Sequence, residues 1–205
     1  MNDDTHAVTI DRRPIDGRTA RRDRNKNAVL DAVIELFSEG NLTPGVHDVA
    51  RRSGVSLRSV YRYFEDIEDL VAAAIRRHVE RFDELFEMPD PDVGSTHERI
   101  HRFCRRRLKL FTSVRAVYRA ASIRVCDHPQ LANGMAQREH ELRRQTAMVF
   151  AAELESLEPE RAAVVHAMLD SLSQFDMLDY QYRLRSHDAR DTEEFLIGAF
   201  TEILG

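Results

Sequence analysis

The sequence predicts an all-α protein of about nine helices, and three observations support this. Apolar residues recur at helical spacing along most of the chain. No stretch sustains the period-two alternation of β-branched and aromatic residues that a strand needs. Breaks rich in Gly, Pro and Asn divide the helical pattern into segments of ordinary length. The chain has 205 residues, 42% hydrophobic and 32% charged, enough to bury a substantial core. No apolar run approaches the roughly 20 residues of a membrane span. Residues 1–19 are polar and lack the apolar stretch of a secretory signal, so the expected location is the cytoplasm, with no membrane partner. Two cysteines, Cys104 and Cys126, are too few for a disulfide scaffold and read as small buried apolar residues.

Taken in order, residues 1–19 carry Pro14, Gly17 and many charges without periodicity, and read as a disordered basic arm. A first helix is expected over about 20–39, with Leu30, Val33, Ile34 and Phe37 as its apolar stripe and Gly40-Asn41 as its end. Thr43-Pro44 has the pattern of an N-cap followed by proline at the first helical position. A short helix to Ser53, a turn at Gly54 and another short helix to Phe64 follow. A longer helix is expected over about 66–88, ended by the break at 89–94. Further helices are expected at roughly 96–112, 115–125, 129–156, 160–185 and 191–204. The implied units are the arm (1–19), a first domain over 20–66 and a second over 67–205.

Charge is divided unevenly between these units. Residues 12–64 hold 11 Lys and Arg against 6 Asp and Glu, whereas residues 65–205 hold 19 against 26. A basic N-terminal third on an acidic body points to a local polyanion contact.

Residues 46–64, VHDVARRSGVSLRSVYRYF, are the most informative segment. Ala50 is small where a second helix crosses the first, and Gly54 can supply the left-handed backbone of a sharp turn. Val49, Val55 and Val60 are placed to seal a small core, and Ser56 to cap the second helix. Arg58, Ser59, Tyr61 and Arg62 then project away from the Val60–Phe64 face. The bland alternative is a hairpin inside an ordinary helical core. It accounts for Ala50 and Gly54 but not for an aromatic–arginine cluster opposite the apolar side.

The run Gly54-Val55-Ser56, then Tyr61-Arg62-Tyr63-Phe64, then Glu68-Asp69-Leu70 resembles the signature of the TetR family of transcriptional regulators over about residues 20–75. The rest of the chain is similar to that family only in helical layout. The resemblance implies a three-helix helix-turn-helix domain and a helical body for ligand binding and dimerisation. It also implies a double-stranded operator as partner, bound by a homodimer formed through residues 160–204 and released by a small-molecule effector. The recognition helix would run over 56–63. Ser56, Leu57, Arg58, Ser59, Tyr61, Arg62 and Tyr63 would lie at the DNA, Arg58 reading guanine and the tyrosines touching phosphates. Two positions depart from the family pattern. Ile67 stands where a lysine is usual, so a common phosphate contact is missing, and Gly45 where a threonine is often found, so either Thr43 takes over that contact or none exists. Arg21, Arg22 and Lys26 could strengthen the grip on the backbone.

In the body, Arg107 falls in the middle of the apolar stripe made by Ile100, Phe103, Cys104, Leu108 and Phe111. A charge there needs a partner. Two readings stand: an ion pair with Glu139 or Asp176, or an anchor for an acidic ligand. Phe103, Arg107, Phe111, Met135, Glu139, Phe175 and Tyr180 are the candidate ligand-facing residues. His97, His101 and Cys104 share a helix face at spacings of four and three, so a metal- or redox-responsive regulator is the alternative function. Residues 160–185 are apolar over an arc wide enough to need cover from two sides, through a partner or within a monomeric bundle. No GxSxG, HExxH or Gly-rich phosphate loop occurs, so neither an enzyme nor a cofactor is expected.

Overall fold

The computed structural model describes residues 17–205, all-helical with no strand among them. The elements are α1 (Gly17–Ser38), α2 (Val46–Ser53), α3 (Leu57–Tyr63), α4 (Ile67–Glu80), a 3₁₀ turn (Asp83–Phe86), α5 (Thr96–Ser122) and α6 (Pro129–Val149). They continue as α7 (Ala151–Glu155), α8 (Pro159–Ser173), α9 (Phe175–Leu184) and α10 (Ala189–Leu204). Among the described residues there are thus ten α-helices where about nine were expected. The expected arm lies outside the described residues as far as residue 16, and 17–19 form the first turn of α1.

The boundaries that differ have local causes. Thr43 does not cap α2. Gly45 occupies that position, and the Asp48 carboxylate accepts the Gly45 N–H at 3.2 Å in place of a capping hydroxyl. Pro44 is buried in the preceding loop. The expected break near residue 113 is absent because the Thr112 and Ser113 hydroxyls donate to the Leu108 and Lys109 carbonyls at 3.0 and 2.8 Å, remaining within the helix. The helix expected over 66–88 ends early, where the N–H groups of Arg81 and Phe82 donate three residues back, to the carbonyls of His78 and Val79. The helix expected over 160–185 is broken at Gln174, whose backbone is extended (φ −71°, ψ 151°).

Two apolar cores are built on these helices. The first gathers Val33 and Phe37 from α1, Val49 from α2, Val60 from α3, Leu70 and Ala74 from α4, and Val117 and Ala120 from the end of α5. The second gathers Phe103, Leu108 and Phe111 from the first half of α5 with Leu142, Phe150, Leu169, Leu178 and Phe200. Helix α5 therefore serves both.

Charged contacts fasten the first core to its surroundings. Asp31 on α1 accepts from Arg77 on α4 at 2.6 Å and from Arg81, just past its end, at 3.0 Å. Arg124, buried just past α5, donates to the Leu42 carbonyl at 2.8 Å and to Glu68 at 3.1 Å. That single guanidinium ties the loop before α2 and the start of α4 to the body.

Burial alone would raise the Asp31 carboxyl, but Arg77 and Arg81 together hold it below its ordinary value. Its stabilisation is fully present above the unfolded pKa and is lost as pH falls through the lowered folded one. Asp31→Asn should cost about 1 kcal/mol at neutral pH, a modest figure because the carboxylate is partly exposed. In denaturant titrations, wild type and variant should converge at pH below the ordinary carboxylate range.

Candidate nucleic-acid interface and effector cavity

The helix-turn-helix is set by a few local requirements. Gly54 ends α2 at φ +67°, a left-handed conformation that a side chain disfavours. The Ser56 Oγ accepts the Ser59 N–H at 3.4 Å and donates to the Ser59 Oγ at 3.0 Å, fixing the start of α3. Val49, Val55, Val60 and Phe64 are buried, which turns the opposite side of α3 outward. Arg52 on α2 reaches back to Glu39 at 2.6 Å and locks α2 to α1.

On the outward side, Arg58, Tyr61 and Arg62 are exposed, Tyr61 to 54%, while Leu57, Ser59 and Tyr63 are half-buried. Arg58 and Tyr61 have no side-chain partner among the described residues, so both are available to an external ligand. Arg62 lies over the Tyr63 ring at 5.1 Å and donates to its hydroxyl at 3.1 Å. That contact, helped by Asn25 and the positive charge of Arg22, pulls the Tyr63 phenol below its ordinary value. Lys26 sits 5.5 Å above the Phe64 ring. The first half of α1 and the end of α3 thus form one continuous cationic surface, with exposed Arg21 and Arg22 beside it and Thr43 exposed at the mouth of α2. Sequence reasoning placed these residues separately; the Tyr63 link between α1 and α3 has no sequence signal.

A cavity of about 320 Å³ opens in the body between α4, α5 and α6. Its apolar walls include Ile75 and Val79 of α4, Val114, Val117 and Ala121 of α5, Leu131, Met135 and Leu142 of α6, and Phe86 and Phe175. Arg76, Glu80, Tyr118, Gln130, Arg138, Glu139 and Gln174 supply its polar groups. Ile75, Val117, Ala121, Leu131 and Met135 also pack on the first core, whereas Phe86, Val114, Leu142 and Phe175 belong to the second.

Of the candidate ligand residues, Met135, Glu139 and Phe175 line this cavity. Phe103, Arg107 and Phe111 lie in the second core and outside its lining, and Tyr180 is exposed on α9. Arg107 also makes neither of the expected ion pairs. Only 1% exposed, it donates to the backbone carbonyls of Leu142 at 3.0 Å and Ser173 at 3.4 Å, with its guanidinium 4.7 Å over the Phe103 ring. Burial pushes its pKa down to about 10 against the nearby charge of Asp170. Its place follows from the break at Gln174, because the Ser173 carbonyl at the end of α8 is left to an outside donor.

The histidine–cysteine trio does not converge. His97 is exposed with its ring 4.4 Å from that of His101, whereas Cys104 is fully buried and its thiol is pushed up by burial. Among the described residues no group of three or more His, Cys, Asp or Glu is placed to hold a metal ion. Cys126 is exposed, contrary to expectation. Among the described residues no helix is long and apolar enough to cross a membrane.

A short helix held across another by a glycine turn, presenting arginine and tyrosine outward, on a helical body with an internal cavity, defines a helix-turn-helix protein with a second, ligand-sized compartment. Residues 29–74 match the family described as bacterial regulatory proteins, tetR family. Over 105 residues the chain is 28% identical to the HTH-type transcriptional dual regulator CecR of Shigella flexneri, covering 46% of this chain and 47% of that protein. Over 102 residues it is 30% identical to the HTH-type transcriptional repressor LfrR of Mycolicibacterium smegmatis, covering 50% and 53%. The chain thus spans about half the length of these curated relatives. A transcriptional regulator from Rhodococcus sp. Rha1 has the same fold, with a TM-score of 0.62 at 22% identity over 89% of this chain and 95% of that one. The multidrug binding protein EbrR, solved with imidazole, is similar in fold at a TM-score of 0.54 and 19% identity, over 85% and 94%. Residues 29–74 are thus similar in sequence to the tetR family, and the described residues share the fold of the Rhodococcus regulator.

The Arg107 contacts generate one prediction. Arg107→Met, which keeps the volume, should fold with a small net change in stability, since lost charge-assisted bonds offset a lost desolvation cost. Arg107→Ala should cost about 2–5 kcal/mol through the void it leaves. Thermal melts of both variants check this.

Proposed function

We propose that the chain is a DNA-binding transcriptional regulator and not an enzyme, acting as a homodimeric repressor that a small molecule releases from a palindromic operator. The observation that supports it best is the exposed Arg58, Tyr61 and Arg62 on a short capped helix, backed by the cationic surface of α1. In this reading α3 enters the major groove, with Arg58 on a guanine edge and Tyr61 and Tyr63 on phosphates. Ser56, Leu57 and Ser59 hold the helix start close to the backbone, and Thr43, Arg21, Arg22 and Lys26 add phosphate contacts.

Dimerisation is supported by apolar surface that the single chain leaves uncovered. Val164 (60% exposed) and Met168 (47%) stand one turn apart on α8, with Ala163 and Ala167 beside them. Tyr180 (48%) and Leu184 (61%) repeat the arrangement on α9. Residues 160–204 are therefore the proposed contact between copies, placing two α3 helices about one DNA turn apart, roughly 34–36 Å. The effector occupies the cavity against α4 and acts through its preference for one arrangement of the DNA domains.

Binding titrations over an operator panel test the interface. Arg58→Ala should cost about 1–3 kcal/mol and relax preference at one position per half-site, while Tyr61→Ala should weaken all sequences alike. If neither change alters affinity, α3 does not read DNA. Light scattering at micromolar concentration tests assembly: wild type should be a dimer and Val164→Glu with Met168→Glu a monomer. A monomeric wild type sinks the dimer.

A further inference from the structure

The end of α5 meets the helix-turn-helix unit through packing and through one side chain. Val117, Ala120 and Ala121 supply the packing against the first core, with Leu131 and Met135 of α6 beside them. Apolar burial is non-directional, so it holds the two parts together more firmly than it orients them. Further along α4 the His78 Nε2 meets the Ser113 carbonyl of α5 at 3.0 Å, which pins the two helices at one point. The side chain is Arg124, which is held at both ends. Its backbone N–H donates to the Ala121 carbonyl at 2.8 Å, and its carbonyl accepts from the N–H groups of Asp127 and His128 at 3.1 and 3.0 Å. Its guanidinium donates to the carbonyls of Leu42 at 2.8 Å and Ala120 at 2.7 Å, and to the Glu68 carboxylate at 3.1 Å. The Phe37 ring lies 5.9 Å away, and His128 stands 3.3 Å from the same Glu68 oxygen. One planar fork thus meets α1, the loop before α2, the start of α4 and the end of α5.

From this geometry we infer that Arg124 is a specificity-determining residue: by fixing how the helix-turn-helix unit sits on the body, it sets the spacing between half-sites that the protein accepts. The inference rests on the reading that two copies bind one operator. A single pinned point and a non-directional apolar contact leave rotation about that point weakly opposed. The fork of Arg124 opposes it, because Leu42 and Glu68 belong to different segments and both must stay in place. In a two-fold dimer the partner copy repeats any such rotation, so the separation of the two α3 helices changes by both movements together. On the DNA, one added base pair moves a half-site by about 3.4 Å and turns it by roughly 35°. Duplex DNA is stiff over such lengths, so the mismatch falls on the protein. A held unit rejects the altered spacing, and a loosened one follows it. None of the Arg124 contacts involves α3, so the choice of bases within a half-site does not pass through it.

Selection of the intact chain against a pool of random duplexes supplies the half-sites. Affinities are then measured for duplexes with the selected spacer, for spacers one or two base pairs shorter or longer, and for single-base changes within a half-site. Wild type should lose about tenfold for a one-base-pair change of spacer, and Arg124→Met less than about threefold, with weaker binding at the selected spacing. Base preference within each half-site should be the same for both. Arg124→Lys keeps the charge but not the fork, and should fall between them. Glu68→Gln alters the half-exposed end of the contact, where folding tolerates it, and should widen spacing tolerance in the same direction. An arginine that serves stability alone would lower the melting temperature and weaken every duplex by one factor. Spacing preference unchanged in these variants, or base preference lost together with it, would overturn the inference while leaving the regulator reading in place. A wild type that selects no paired half-sites sinks the dimeric regulator reading and this inference with it.

Discussion

Everything in this molecule hangs on α5. A helix of 27 residues, roughly 40 Å long, it buries Phe103, Leu108 and Phe111 in one core and Val117, Ala120 and Ala121 in the other. Neither core closes without it. Such a strut must be apolar on several sides and still soluble, and the sequence meets this with arginines. Arg102 reaches the carbonyls of Asp90 and Val93, Arg105 pairs with Glu193, and Arg115 pairs with Asp179. Arg99 and Arg107 turn inward. The long stems of these side chains cover apolar surface while their heads satisfy loops and neighbouring helices.

The cavity gains its meaning from this arrangement. It sits where the two cores face each other, so its walls belong to both, and Val79 touches both. A molecule that fills it presses on α4 and α5 together. Arg124, two residues beyond α5, holds the Leu42 carbonyl and Glu68. The end of α5 is therefore joined to the loop before α2 and to the start of α4 by hydrogen bonds as well as packing.

Much of the first domain was legible in the sequence because its constraints are local. Gly54 must be glycine for a left-handed turn, Ser56 caps within three residues, and the valines follow helical spacing. The body was legible as helices but not as a site. The break at Gln174 has no glycine or proline to announce it, and without it the carbonyl that holds Arg107 cannot be anticipated. Expecting Arg107 to seek a carboxylate was sound as electrostatics and failed because the buried carbonyls of Leu142 and Ser173 take the same donor. Glu139, Met135 and Phe175 line the cavity because α6 and α9 bring them to one hollow. Phe103 and Phe111 were missed as core because spacing cannot distinguish a wall from the packing behind it.

The outward face of α3 has a further consequence. Arg58 and Tyr61 make no contact that holds the fold, while Val60 between them is 1% exposed and does. If α3 reads DNA as proposed, folding and recognition fall on alternate sides of one seven-residue helix. Substitutions on the recognition side leave stability nearly untouched, so target preference can drift by single steps under selection while the scaffold stays fixed. Lineages built on this framework can diversify what they bind without first acquiring compensating changes in the core.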